Sequence, residues 1–260
     1  MRTWIPVALS ALALAAPLQA QDTAADQLEQ TVLALEDEYD EAYADWREGL
    51  MEWSRAMRAA RETGEALEME RPAPIGPTFW PRFDRAAKAG SMRAQMWCVQ
   101  NYTPGDDVPK EAHAADFTRR VLQLFTDPTV DHSQLPRTIM GKSRGPLDKD
   151  SARALLVVLE NVAATPEVAS QAAYYQVSMD EVRGGTDEQQ KATLAGYRKV
   201  SEAYPETKWG GRAGGKVFKQ ERLQIGMVAP EIVGKDVDGN DMKLTDFRGK
   251  VTVIDFWGFW

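Results

Sequence analysis

A chain of 260 residues has room for one large domain or two modest ones. Its 43% apolar and 27% charged residues are the proportions of a globular protein rather than a disordered tail. The 39 acidic residues outnumber the 31 basic ones for a net charge of −8. That balance argues against a nucleic-acid binder, which needs a basic face to displace counterions.

Met1-Arg2-Thr3 makes a short positive start, Ile5 to Ala16 is a mostly apolar run, and Pro17-Leu18-Gln19-Ala20 ends on a small residue. This is the layout of a secretory signal peptide, residues 1–20, with cleavage expected after Ala20. The apolar run is too short to span a bilayer. The mature chain is therefore expected to be exported, periplasmic or extracellular, and not membrane-spanning. Cys98 is the single cysteine, so the chain as given can form no internal disulfide. Within Met96-Trp97-Cys98-Val99 it reads as a buried, inert thiol of a helix.

From Gln27 to about Glu70, Leu28, Val32, Leu35, Tyr39, Tyr43, Trp46, Leu50, Trp53 and Met57 recur every three or four residues. Such spacing predicts one long helix with an apolar seam, which reads as a packing face. Only Gly49 interrupts it, at roughly 1 kcal/mol against Ala. Pro72, Pro74 and Pro77 form an extended link. Helices are expected over 78–100 with a turn at Ala89-Gly90-Ser91, then over 110–125, 148–162, 166–183 and 187–204, with 127–146 mainly loop. Helix pairs of this kind resemble a tetratricopeptide-type array, but no firm repeat period emerges. The expected architecture is a helical bundle or irregular helical repeat over 21–222, whose role is packing or contact. The helical period gives way to short Val/Ile/Phe runs near Leu223, with the boundary placed between Gly215 and Leu223.

His113, His132 and one cysteine do not make up a usual zinc ligand set. Asp236, Asp238 and Asn240 match the first, third and fifth positions of a calcium loop, but Asp241 and Phe247 stand where Gly and Glu are needed. A hairpin turn at Asp238-Gly239 accounts for them better. Gly210-Gly211-Arg212-Ala213-Gly214-Gly215-Lys216 has the glycine and lysine positions of a phosphate loop, but Val217 lacks the magnesium-binding hydroxyl and no buried strand precedes it. A flexible connector is the expectation there. The sequon Asn101-Tyr102-Thr103 matters only in a eukaryotic secretory setting. Asp37-Glu38 reads as a solvated helix face, and no cofactor or metal is implied.

The C-terminal stretch is the informative one. Gly226, Ala229-Pro230, Asp238-Gly239, Leu244, Asp246-Phe247-Arg248-Gly249-Lys250 and Asp255-Phe256-Trp257-Gly258-Phe259-Trp260 stand in order, with the apolar run 251–257 reading as a central strand buried on both faces. A buried Asp255 within it asks for a reason, since an unpaired buried acid is costly. These features resemble the redoxin group of the thioredoxin superfamily, most closely the exported TlpA/ResA-like thiol-disulfide oxidoreductases. The resemblance covers only residues 223–260; Arg82-Phe83 and Met96-Trp97 more loosely resemble helical extensions of some bacterial redoxins.

The resemblance implies the N-terminal hairpin and first strand of an incomplete thioredoxin-like α/β domain. It makes Trp260 the residue before a Cys-x-x-C nucleophile, and Asp255 a buried acid that moves the second cysteine's proton. Neither catalytic cysteine is present, so the chain is expected to be a fragment of a longer enzyme acting on disulfides of exported proteins or on a thiol donor protein. A peroxiredoxin-type (AhpC/TSA) enzyme is one alternative. A non-catalytic helical interaction module with a vestigial thioredoxin segment is the other.

Overall fold

The computed structural model describes residues 15–64, 66–104 and 108–258, with side chains from residue 23 onward. The expected leader lies mostly outside the described residues, as do Phe259 and Trp260. The fold is mainly α, with a short antiparallel hairpin near its C-terminal end. The chain divides into two compact units between Met179 and Asp180. The change of texture near Leu223 coincides with the C-cap of the last helix, and the two helices before it group with the second unit.

The first unit holds α1 (Ala15–Thr63), α2 (Gly76–Lys88), α3 (Met92–Gln100), α4 (His113–Phe125), α5 (Leu135–Lys142), α6 (Lys149–Val162) and α7 (Pro166–Ser178). Its core is built from the apolar stripes of all seven. Val32 and Leu35 of α1 meet Phe79 and Phe83 of α2, Trp97 of α3, and the inner residues of α4 to α7. Phe83 stacks on Trp97 at 3.8 Å between ring centroids, and Tyr39 meets that indole edge-on.

Two helix ends and one whole helix differ from expectation. α1 stops at Thr63 rather than near Glu70, because Gly64 takes a φ of +75° and donates to the Ala60 carbonyl, a left-handed stop. The chain then doubles back along α1. Trp46 Nε1 donates to the Pro72 carbonyl (3.5 Å), and Arg71 lies over the Trp53 ring. A Cβ on Gly49 would sit 3.4 Å from the Pro72 ring, so the glycine that weakens the helix also lets this strap lie close. α5 occupies part of the expected loop; Pro136 falls in its first turn, where no backbone donor is needed. α7 ends at Ser178, five residues short of the expected Arg183.

The second unit opens with the pair α8 (Asp187–Ala203) and α9 (Lys208–Arg222). Thr186 and Gln189 form a reciprocal capping box on α8. α9 corrects the flexible-connector reading: Thr207 caps it by accepting from Gly210 N–H (3.0 Å), and the glycine-rich segment is helical. A Cβ on Gly210 would lie 1.8 Å from the Tyr204 carbonyl oxygen, so close packing against the end of α8 selects glycine there. Strands β1 (Val233–Lys235) and β2 (Asp241–Lys243) follow, paired with Gly234 opposite Met242.

The run 251–257 is a further correction. It takes no strand conformation, and Val251, Val253, Phe256 and Trp257 are 75–98% exposed. A strand is defined by its partners, and among the described residues no strand pairs with this one.

Candidate functional site

The C-terminal segment is organised by short polar side chains that fix its turns. Asp236 is the keystone of the hairpin. Its carboxylate accepts from Asp238 N–H (2.9 Å), Asn240 N–H (2.9 Å) and the Asn240 side-chain amide (3.0 Å). The Asn240 amide leads these bonds in holding the carboxyl below its ordinary range. Gly239 turns at a φ of +84°, where glycine is favoured, so the expected Asp238-Gly239 turn stands where it was placed. The candidate calcium positions are thus turn-makers.

Beyond the hairpin, the Leu244 amide donates to the Ile232 carbonyl (2.9 Å). Glu231 accepts from both the amide and the hydroxyl of Thr245 (3.1 and 2.7 Å). Asp246 accepts from Lys243 N–H (2.8 Å), opening a 3-10 turn, Leu244–Phe247. Gly249 then reverses the chain at a φ of +83° and delivers it into 251–257. Within the Asp246-to-Lys250 motif, Asp246 and Gly249 therefore set the turn that leads into the apolar run. Asp255, expected inside a buried strand, is exposed.

The other sequence candidates take structural roles. Cys98 is fully buried, and burial pushes its thiol up to about 12, the opposing pull of Arg120 being smaller. It is held as an unreactive thiol at neutral pH. His113 Nε2 contacts the Val108 carbonyl (2.9 Å), and His132 Nε2 contacts that of Leu124 (3.1 Å). Glu38 of the solvated acidic pair makes a two-point contact with Arg82 on α2 (2.6 Å each). Asn101 accepts from the Tyr39 hydroxyl and donates to the Trp97 carbonyl. In α9 the phosphate-loop glycines direct most of their amides into a helix, unlike the outward-facing cradle of a phosphate loop. Among the described residues, no group of three or more His, Cys, Asp or Glu is arranged to hold a metal ion.

One polar cluster was not anticipated. Arg120, 3% exposed, pairs with Asp84 of α2 and with Asp116 one turn back on α4 (2.8 Å), and lies over the Trp80 ring. Gln95 of α3 donates to the Arg120 carbonyl (3.1 Å), and the Tyr102 hydroxyl donates to Asp116 (3.0 Å). Burial raises both acids, but hydrogen bonds outweigh it, from Lys88 and Arg120 at Asp84 and from Arg120 and Arg119 at Asp116. Both stay below the ordinary carboxylate value and ionised. The cluster clamps α2, α3 and α4 together. The signal was present in the sequence: Arg120 falls on the same face of α4 as Phe117, Val121 and Leu124.

Comparison with known proteins finds similarity over short stretches. The chain is 41% identical over 46 residues to "Thiol-disulfide oxidoreductase ResA" of Bacillus thuringiensis subsp. konkukian, which is 18% of this chain and 27% of that protein. It is 44% identical over 38 residues to the ResA of Geobacillus thermodenitrificans, 15% of this chain and 22% of the relative. The ResA of Bacillus anthracis matches at 42% over 41 residues, 16% and 24% of the two chains. The chain thus spans about a quarter of the length of these curated relatives. No family model matches the chain, and no solved structure matches it. No helix among the described residues is long and apolar enough to cross a membrane.

Proposed function

We propose that this chain is part of an exported thiol-disulfide oxidoreductase of the thioredoxin-like redoxin class, reducing or exchanging disulfides of other exported proteins. The observation that carries the reading is the 41–44% identity to thiol-disulfide oxidoreductases over stretches about as long as the segment 223–260. The local geometry of that segment is compatible: a hairpin closed by Asp236 and Gly239, then a polar turn that feeds an apolar run. In the complete domain the run 251–257 would become a central strand, covering Val251, Val253 and Phe256. Trp260 would precede a Cys-x-x-C pair at the N-terminus of the next helix, where the helix dipole lowers the first thiol's pKa. Asp255 would be enclosed and would exchange the proton of the second cysteine. The helical domain would present substrates or position the redoxin domain, and the signal peptide would direct the protein out of the cytoplasm.

The test begins with the coding DNA beyond the Trp260 codon. The expected result is an open frame entering Cys-x-x-C at once. The extended protein should then reduce insulin disulfides with dithiothreitol as donor, and Asp255→Asn should slow it by about tenfold or more, the scale of a proton-transfer role. A stop codon after Trp260, or an extended protein without paired cysteines, would overturn the reading. A lone cysteine further downstream would instead indicate the peroxiredoxin-type enzyme, and peroxide consumption would be the assay.

A further inference from the structure

The helical unit carries a groove that the redox reading does not use. Its larger part, about 670 Å³, has Met92, Met96 and Val130 among its apolar lining and Glu29, Glu36, Asp127 and Asp131 among its acids. The one cation there, Arg93, is engaged with Glu36 (3.0 Å) and Glu29 (3.7 Å), so acid is in excess. Asp127 and Asp131 keep their charge while accepting from Thr129 and Ser133 of their own loop. Trp97, 5% exposed, also lines this part, and its indole N–H has no acceptor among the described residues.

A neighbouring part of about 640 Å³ shares Gln100 and Gln134 with the first. The charges lining it are Arg137 and Lys142, with no acid between them. Both belong to α5, and neither side chain has an ion-pair or hydrogen-bond partner among the described residues. Lys142 is half-buried, and burial draws its ammonium below the ordinary lysine value with no carboxylate to offset it. In a chain of net charge −8, exposed Arg137 and half-buried Lys142 make a positive stretch beside an acidic one, so charge is segregated along the groove.

We propose that this groove binds an extended peptide segment of another protein that is basic at one end and acidic at the other. Its basic residues face Glu29, Glu36, Asp127 and Asp131, and its carboxylates lie between Arg137 and Lys142. Apolar side chains between them rest on Met92 and Met96, whose flexible thioethers adapt to differing shapes. Gln100 and Gln134 stand where the two parts meet. A side-chain amide both donates and accepts, which suits the main chain of a peptide crossing there. A small anion would use Arg137 and Lys142 but would leave the acidic part without a role. The inference stands apart from the thiol-disulfide reading and needs no cysteine.

The test is fluorescence anisotropy of the full chain with a fluorescein-labelled peptide carrying lysines at one end, glutamates at the other and Leu-Met between. Both chain directions are synthesised, and the tighter one is compared with peptides in which either charged end is replaced by serines. The two-ended peptide should bind about tenfold or more tightly than either single-ended one, as expected of paired electrostatic contacts. The double substitution Arg137→Glu, Lys142→Glu should weaken it by a similar factor while far-UV circular dichroism stays unchanged. Arg137→Lys should retain most of the binding. Equal affinity for all three peptides, or undiminished binding by a folded charge-reversed variant, would overturn the proposal. Isothermal titration with inorganic phosphate supplies a further arm: phosphate binding that needs Arg137 and Lys142, with no peptide binding, would make this a small-anion pocket instead.

Discussion

Arg120 joins α2, α3 and α4 through Asp84, Asp116 and Gln95. Replacing it with Met keeps its bulk but leaves Asp84 and Asp116 without their shared cation. Breaking a buried pair from one side costs about 3–5 kcal/mol, and urea denaturation should report a loss of that order for Arg120→Met. The same cluster sets an acid limit. Asp84 and Asp116 both have folded-state values below the ordinary one, so their stabilisation is fully present above the unfolded value, about 3.9, and is lost as pH falls through the folded value. Stability should therefore fall steeply on acidification below about pH 4, and Arg120→Met should flatten that dependence. Cys98 supplies a second expectation: with its thiol raised to about 12 and no exposure, it should resist iodoacetamide at pH 8 in the native state and react readily in urea. The burial of Cys98 was legible from its apolar neighbours. Arg120 was legible as a charge on an apolar stripe, but its partner Asp84 lies 36 positions earlier on another helix, a pairing that only the fold creates.

Among the helices, period and punctuation were readable where they agreed and misleading where they did not. α6 begins after Asp148 and α8 after Thr186, each with a capping side chain that marks the start. α9 was missed because four glycines lower its intrinsic propensity, by roughly 1 kcal/mol each against Ala. Packing against α8 overrides that deficit, and this can be tested within one turn of helix. Gly210→Ala places a methyl against the Tyr204 carbonyl and should destabilise the second unit by about 1–3 kcal/mol or more. Gly211→Ala meets nothing within 4 Å and should stabilise it by about 0.4–1 kcal/mol. Opposite shifts in thermal midpoint at adjacent residues would identify close approach, rather than helix propensity, as the reason for glycine at 210. The apolar run 251–257 shows the converse failure. Its composition is that of a central strand, yet composition supplies no neighbour, and strand conformation depends on the neighbour.

For the whole chain, the mainly α character and the position of the hairpin could be read from periodicity and turn residues. The division at 179/180 could not, because it follows from which helices meet in space. The exposed side chains of 251–257 form an apolar surface of the kind that soluble chains rarely leave open. Ending the chain at Lys250 should lower anilinonaphthalene sulfonate fluorescence and self-association while the helical circular dichroism is retained. The strap along α1 has a mechanical consequence. The core grips that helix from Leu28 to Ala42, while from Tyr43 to Thr63 no residue is fully buried and the main support is the returning segment around Arg71 and Pro72. α1 is therefore a beam clamped at one end and propped near the other. Its amide protons should exchange with solvent slowest near Val32 and Leu35 and progressively faster toward Gly64. Removing the prop with Trp46→Ala should speed exchange beyond Tyr43 and leave the clamped end as it was.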